Sequence, residues 1–245
     1  MATPNPPSLE WVDGVPVVTV MSMGITMHGE FVVEYTETFL SFVDAVYNEP
    51  VVIVDLRDNT GGDSLIGSRW LHRLVGEIVP QNLSEVFRLT YEEMMEERRV
   101  FEYHDPHGRG FFSLEDYRNY SGMMKLDYSH ILTYYTQTNA IVESDRLIIL
   151  LINNYVASAG EHFVDMILSM GNTLIIGQNT FGVVINRNHL PLALPNSGVV
   201  FRPGRAVRVF PEGLFTEGVG LAPDVWVHGD ALTAALALID SNRNE

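Results

Sequence analysis

The sequence contains no cysteine and a single lysine, Lys125, among 15 basic side chains. Without a thiol there is no cysteine nucleophile, no disulfide framework and no thiolate ligand for zinc or an iron–sulfur cluster. One lysine leaves little room for a serine–lysine dyad. Basic residues are outnumbered by 31 acidic ones, and the formal net charge is −16. That balance argues against nucleic acid, whose phosphates require a basic face, and against docking on anionic lipid. Long apolar runs are missing too; none approaches the roughly 20 residues that span a bilayer. The opening MATPNPPSLEW has no basic n-region or apolar h-region, so no signal peptide is read in it. Internal repeats and low-complexity tracts are also lacking.

What is present is a chain of 245 residues, 46% of them hydrophobic. That is an ordinary apolar content for a folded chain, long enough for one large domain or two small ones. The segment LEWV-Asp13-Gly14-VPVVTV reads as a hairpin with Asp-Gly at its turn. Phe31, Tyr35, Phe39, Phe42 and Val46 recur at helical spacing, and Asn48-Glu49-Pro50 ends that helix. Val51–Leu56 and Arg146–Ile152 are near-continuous apolar runs, as expected of strands covered on both faces. Helices are expected at 63–76, 158–170 and 230–241, and strands at 173–177 and 225–227. Short strands are expected within 183–209, around the turn Pro195-Asn196-Ser197-Gly198. Strand–helix alternation predicts an α/β fold with a largely parallel sheet. The stretch 78–145 differs, being rich in Glu, Arg, Tyr and Met, with a helix expected at 84–102. It reads as an inserted cap between two core segments, 1–77 and 146–245.

Three constellations could carry chemistry. Asp55-Leu56-Arg57-Asp58-Asn59-Thr60-Gly61-Gly62 directly follows a buried strand. Paired glycines there let the backbone turn sharply and present N–H groups where a helix begins; a plain glycine turn is the bland alternative. Val156-Ala157-Ser158-Ala159-Gly160-Glu161 sets a serine among small residues at the head of a helix. A hydroxyl beside a free backbone N–H is what acyl transfer needs, although an ordinary N-cap serine has the same local pattern. Glu217-Gly218-Val219-Gly220-Leu221-Ala222-Pro223-Asp224 is a glycine-rich turn before a strand. His104 and His107 form an i, i+3 pair without the second cluster a metal site requires, so no metal is expected. No phosphate loop or dinucleotide fingerprint appears, so no cofactor is expected either.

Taken in order with Gly177-Gln178-Asn179-Thr180-Phe181-Gly182, these motifs resemble the tail-specific or C-terminal-processing serine peptidases. The similarity covers most of residues 15–77 and 146–230. It implies a ClpP/crotonase-like core and hydrolysis of peptide bonds in a peptide or protein substrate. Ser158 matches the family's nucleophile, and Gly62 with the N–H of Ala159 matches its oxyanion donors. Glu161 looks like a structural member of its motif. Many members of the family carry a lysine base where this chain has Val183. Other branches use a histidine and a glutamate, and Glu217 stands at the matching glutamate position.

Eight histidines compete for the base: 28, 72, 104, 107, 130, 162, 189 and 228. His28 is favoured, because its loop follows the first core strand and strand-end loops converge on the crevice of open α/β sheets. His162, one turn after Ser158, is expected to pack beneath it. His72 is expected to be a packed core residue. Relatives often carry a PDZ-like domain ahead of this region, so the chain reads as a bare catalytic core, and the base could belong to a part it lacks. Relatives are often secreted or envelope proteins, which leans the expected compartment outside the cytosol. Two alternatives stay open: a non-catalytic relative that binds peptides or acts as a scaffold, and an acyl-CoA enzyme on the same fold. The motifs say nothing of oligomeric state.

Overall fold

A computed structural model describes residues 5–24, 26–27, 30–80, 84–87, 141–187, 192–193, 196–201, 206–209 and 215–243. The chain divides into two compact units. The first comprises Met1–Leu83, Gln137–Val184 and Phe210–Glu245; the second comprises Ser84–Thr136 and Ile185–Val209.

The first unit is a three-layer α/β arrangement. Strands β1 (Ser8–Val12) and β2 (Val15–Thr19) form the expected hairpin, with Val12 opposite Val15. Asp13 and Gly14 both have positive φ, 50° and 74°, the backbone that a two-residue turn needs to match strand twist. A short antiparallel pair, β3 (Thr26–Met27) and β4 (Glu30–Phe31), precedes helix α1 (Val33–Val46). Strand β5 (Val51–Asp55) follows, then helix α2 (Ser64–Val75). After the second unit's first segment come β7 (Leu147–Ile152), α3 (Ala159–Ile167), β8 (Thr173–Gly177), β13 (Val225–Trp226) and α4 (Ala231–Arg243).

The six-stranded sheet runs β1-β2-β5-β7-β8-β13, and every pairing except β1–β2 is parallel. This is the predicted α/β architecture with a largely parallel sheet. Side-chain alternation splits the central strands between two cores. Val52, Val54, Ile148, Leu150 and Ile152 pack with α1, α2 and α3. Ile53, Ile149, Leu151 and Ile176 pack with Ala231, Ala235 and Ile239 of α4. Both faces are therefore covered, which is why the strands read as unbroken apolar runs. Trp70 is fully buried, stacked on Phe39 at 5.5 Å and tilted against Phe163 at 6.2 Å. The Arg146 guanidinium donates to the carbonyls of Tyr47, Glu49 and Leu74, tying the last turns of α1 and α2 to the start of β7. Cations are favourable at such carbonyl-rich helix ends. No helix among the described residues is long and apolar enough to cross a membrane.

In the second unit, β6 (Ser84–Phe87), β12 (Ala206–Val209) and β9 (Asn186–Arg187) form an antiparallel sheet in the order β6-β12-β9. Strands β10 (Leu192–Ala193) and β11 (Val200–Phe201) form a hairpin. The helix expected from residue 84 is thus corrected at its start. Val86 there pairs with Val207, and pairing over that sequence separation overrides local helical preference. The rest of that expected helix lies outside the described residues.

Candidate active site

In a parallel sheet, the loops after the strands gather at one edge. Four do so here: Val20–Gly24 after β2, Leu56–Asp63 after β5, Asn153–Ser158 after β7 and Gln178–Val183 after β8. Main-chain hydrogen bonds stitch them together. Met23 N–H donates to Gly61 O at 2.7 Å, and Asp63 N–H to Met23 O at 2.6 Å. Ala157 N–H donates to Asn59 O at 2.9 Å, and Phe181 N–H to Val156 O at 2.8 Å.

The first motif begins with Asp55, whose carboxylate takes a forked ion pair from Arg57, with Nη2 2.6 Å and Nε 2.9 Å from its oxygens. Arg57 also reaches Asp230 at 2.6 Å. Hydrogen bonding to Asp55 raises the Arg57 pKa above its ordinary value, against the opposing effect of burial. Asp230 is lowered, first by the Thr233 N–H and then by Arg57. The chain then turns through Asp58, at φ 65°, which exchanges two hydrogen bonds with the Asn153 side chain at 3.0 and 2.9 Å.

Gly61 and Gly62 follow at φ 103° and 135°, a region closed to most L-residues. Space is as restrictive as backbone angle. A Cβ on Gly61 would stand 2.8 Å from Ser158 Cβ and 3.2 Å from Ala159 N, and one on Gly62 would strike Met23 O. Gly61 therefore lies directly against the serine loop, and Gly62 against Met23. Met23 bridges to Gly62 in parallel register through bonds made by Gly61 and Asp63. In such a pairing the intervening residue, Gly62, turns its own N–H to the other side.

Ser158 is exposed and precedes α3 with φ 53° and ψ −112°. A non-glycine residue there is strained, and strained residues at strand-to-helix turns lift a side chain out of the fold. Ala159 is the first residue of α3, so its N–H has no partner within the helix. Glu161, fully buried, holds the turn from beneath. It accepts from Ser158 N–H at 3.0 Å, Val183 N–H at 2.9 Å, Gly182 N–H at 2.7 Å and Thr180 Oγ1 at 2.7 Å. Thr180 Oγ1 in turn accepts from Leu221 N–H at 2.8 Å, so the third motif is tied to the second through the loop between them.

Ser158 N–H is engaged by Glu161 and Gly61 N–H by Asn59 Oδ1, which leaves the N–H groups of Ala159 and Gly62 as the candidate donors for an anion beside the hydroxyl. An exposed hydroxyl flanked by such donors can carry acyl transfer. Of the sequence-predicted site residues, Ser158 and Ala159 lie against Gly61, the neighbour of Gly62. Glu217 is exposed in the turn 216–220, whose Gly218 N–H donates to Gly182 O at 2.9 Å. His28 lies outside the described residues, as do His104, His107, His130 and His189. His162 is buried, 3% exposed, within α3. His228 is exposed and sits edge-on to Trp226 at 4.2 Å. His72 is exposed on α2 rather than packed, a correction. The buried face of α2 is Ile66, Gly67, Trp70, Leu71 and Leu74, and residue 72 points off it. Sequence reasoning gave no role to Gly61, Asn59 or Thr180; only the glycine pair carried a signal.

The chain matches peptidase family S41 over residues 17–227. No curated protein sequence matches it. Among solved structures it is similar to a lipoprotein from Streptococcus agalactiae (14% identity, TM-score 0.55, covering 98% of this chain and 71% of that one). It is also similar to the photosystem II D1 C-terminal processing protease (16%, 0.53, 92% and 49%). A third likeness is to mature CPAF complexed with lactacystin (15%, 0.52, 89% and 49%). The chain thus spans about half the length of the last two. At such identities the likenesses establish the fold, and the family match spans most of the chain: this protein belongs to peptidase family S41.

Proposed function

We propose that this chain is a serine peptidase that hydrolyses peptide bonds, C-terminal tails among its substrates, with Ser158 as nucleophile. The observation that carries the reading is the strained φ and ψ of Ser158 at the β7–α3 turn, pressed against Gly61, where a side chain would collide with Ser158 Cβ. Ser158 Oγ attacks the scissile carbonyl carbon, and its proton passes to a base. The carbonyl oxygen becomes an oxyanion held by the N–H groups of Gly62 and Ala159. The same proton then goes to the leaving amine, and water repeats the sequence to free the acyl group. For the base we propose His28, five positions along the sequence from Met23, whose main chain bonds to Gly61 and Asp63 on either side of Gly62. Glu217 would fix the tautomer of His28; its turn is bonded to the Gly182 loop that Glu161 anchors beneath the serine.

A fluorophosphonate probe tests this reading. Stoichiometric labelling at Ser158, located by peptide mass spectrometry and lost in Ser158→Ala, is the expected result. His28→Ala and Glu217→Gln should slow labelling by orders of magnitude and by a smaller factor, respectively. The second reading, a peptide-binding or scaffold relative, is motivated by Val183 at the lysine position. It gains the field if the wild-type protein binds peptide and does not label.

A further inference from the structure

Asn59 lies within the first motif and has no part in the chemistry above. It is fully buried. Its Nδ2 donates to Val20 O at 2.8 Å, and its Oδ1 accepts from Gly61 N–H at 3.0 Å. Its main-chain O accepts from Ala157 N–H, and its own N–H donates to Leu56 O. It also packs on the first turn of α3: a Cβ on Gly160 would meet Asn59 Oδ1 at 3.0 Å and its main-chain O at 3.1 Å. One residue therefore touches the end of β2, the glycine pair, the serine loop and the helix that presents Ala159.

The chemistry of this contact set selects an amide. One side chain must donate to a carbonyl and accept from an N–H without access to water. A carboxylate has two acceptors and would face Val20 O with the wrong sign; an aliphatic side chain would leave both main-chain groups unpaired in a dry site. The fixed main-chain partners also settle which end of the amide is which.

We infer that Asn59 is the positioning residue of the oxyanion site, setting the spacing between the N–H of Gly62 and that of Ala159. The two donors come from different loops, and a two-donor site works only when both converge on one oxygen position. Asn59 is bonded to the residue before Gly62 and to the residue before Ser158, and it abuts the residue after Ala159. This inference rests on the serine reading above.

The test measures phosphonylation of Ser158 by the fluorophosphonate probe, resolved into the maximal rate and the probe concentration for half-maximal rate. The phosphonyl oxygen develops where the oxyanion would. For Asn59→Ala we expect the maximal rate to fall at least about tenfold, part of the 10²–10³ that loss of a whole donor costs. Half-saturation should stay within about threefold, and labelling should still reach completion. A merely structural role would lower the melting temperature and the fraction of protein able to label, leaving the maximal rate of the folded fraction unchanged; that result overturns the inference. Should Asn59→Ala not fold, Gly160→Ala decides. It removes no hydrogen bond and suits a helix, yet presses on Asn59, so a lower maximal rate supports the inference and an unchanged one overturns it. If wild-type protein fails to label at all, it is the serine reading that has failed.

Discussion

Replacing Glu161 by glutamine tests the reasoning about the serine turn at its most demanding point. Every partner of this carboxylate is a donor: two at Oε1, from Thr180 Oγ1 and Gly182 N–H, and two at Oε2, from Ser158 and Val183 N–H. A carboxamide turns one acceptor into a donor, and the two orientations are not equivalent. With the amide nitrogen at the Oε2 position, two main-chain N–H groups are left facing a donor. At the Oε1 position only Gly182 N–H is orphaned, because the Thr180 hydroxyl can rotate and accept. The second orientation should therefore be adopted.

One buried orphan costs about 1–3 kcal/mol. The two bonds that survive at the other oxygen lose their charge assistance, roughly half their strength, about 0.7–1.5 kcal/mol each. The expected loss is about 2–6 kcal/mol, a large share of the roughly 5–15 kcal/mol that holds a domain folded. Equilibrium urea unfolding should show it as a lower midpoint at constant slope. A double-mutant cycle with Thr180→Val sharpens the test. Without a hydroxyl to rotate, the preferred orientation has no acceptor for the amide, so the two changes should couple by about 1 kcal/mol or more. A loss under about 1 kcal/mol, or strict additivity, would refute the account of Glu161 as the anchor of the nucleophile turn.

Gly61→Ala puts a methyl 2.8 Å from Ser158 Cβ at a backbone angle of +103°; labelling of Ser158 should slow by about 10² or more, as for a lost oxyanion donor. Trp70→Ala empties a fully buried site between Phe39 and Phe163 and should cost about 3–5 kcal/mol in urea unfolding. Asp230 has a lowered pKa, so its contribution is complete above its unfolded value, about 3.9, and is lost as pH falls through the lower folded value. Asp230→Asn should therefore flatten the acid limb of stability below about pH 4. At pH 7 it should change stability by at most about 1 kcal/mol, since Asp230 is half exposed; an unaltered acid limb would count against the hydrogen bonds from Thr233 and Arg57 that lower it.

What the sequence made legible is what periodicity and backbone chemistry encode. Val51–Asp55 and Leu147–Ile152 were readable because strands covered on both faces leave no polar gaps. Asp13-Gly14 was readable because few residue pairs accept two positive φ angles. The start of the second unit was misread because its partner strand lies far along the chain, where no local window reaches. His72 was misread through its apolar neighbours, although counting the helix phase from Ile66, Trp70 and Leu74 would have turned it outward. Asn59 and Glu161 were visible as letters and opaque as roles, since their partners are main-chain groups contributed by separate loops.

Position 183 joins these two kinds of information. Its N–H donates to Glu161, while the residue as a whole is 37% exposed. The bond that shapes the loop comes from the main chain, which any residue except proline supplies. The side chain is thus released from any part in that hydrogen bond, and a valine can stand where the family resemblance leads one to expect a lysine base without the loop giving way. That separation explains why the motifs locate the serine turn so readily and leave the base open. It also sets a sharp expectation: Val183→Lys should leave urea stability within about 0.5 kcal/mol of the parent, as for other exposed substitutions. A larger loss would mean that the side chain, and not only its N–H, holds the serine turn.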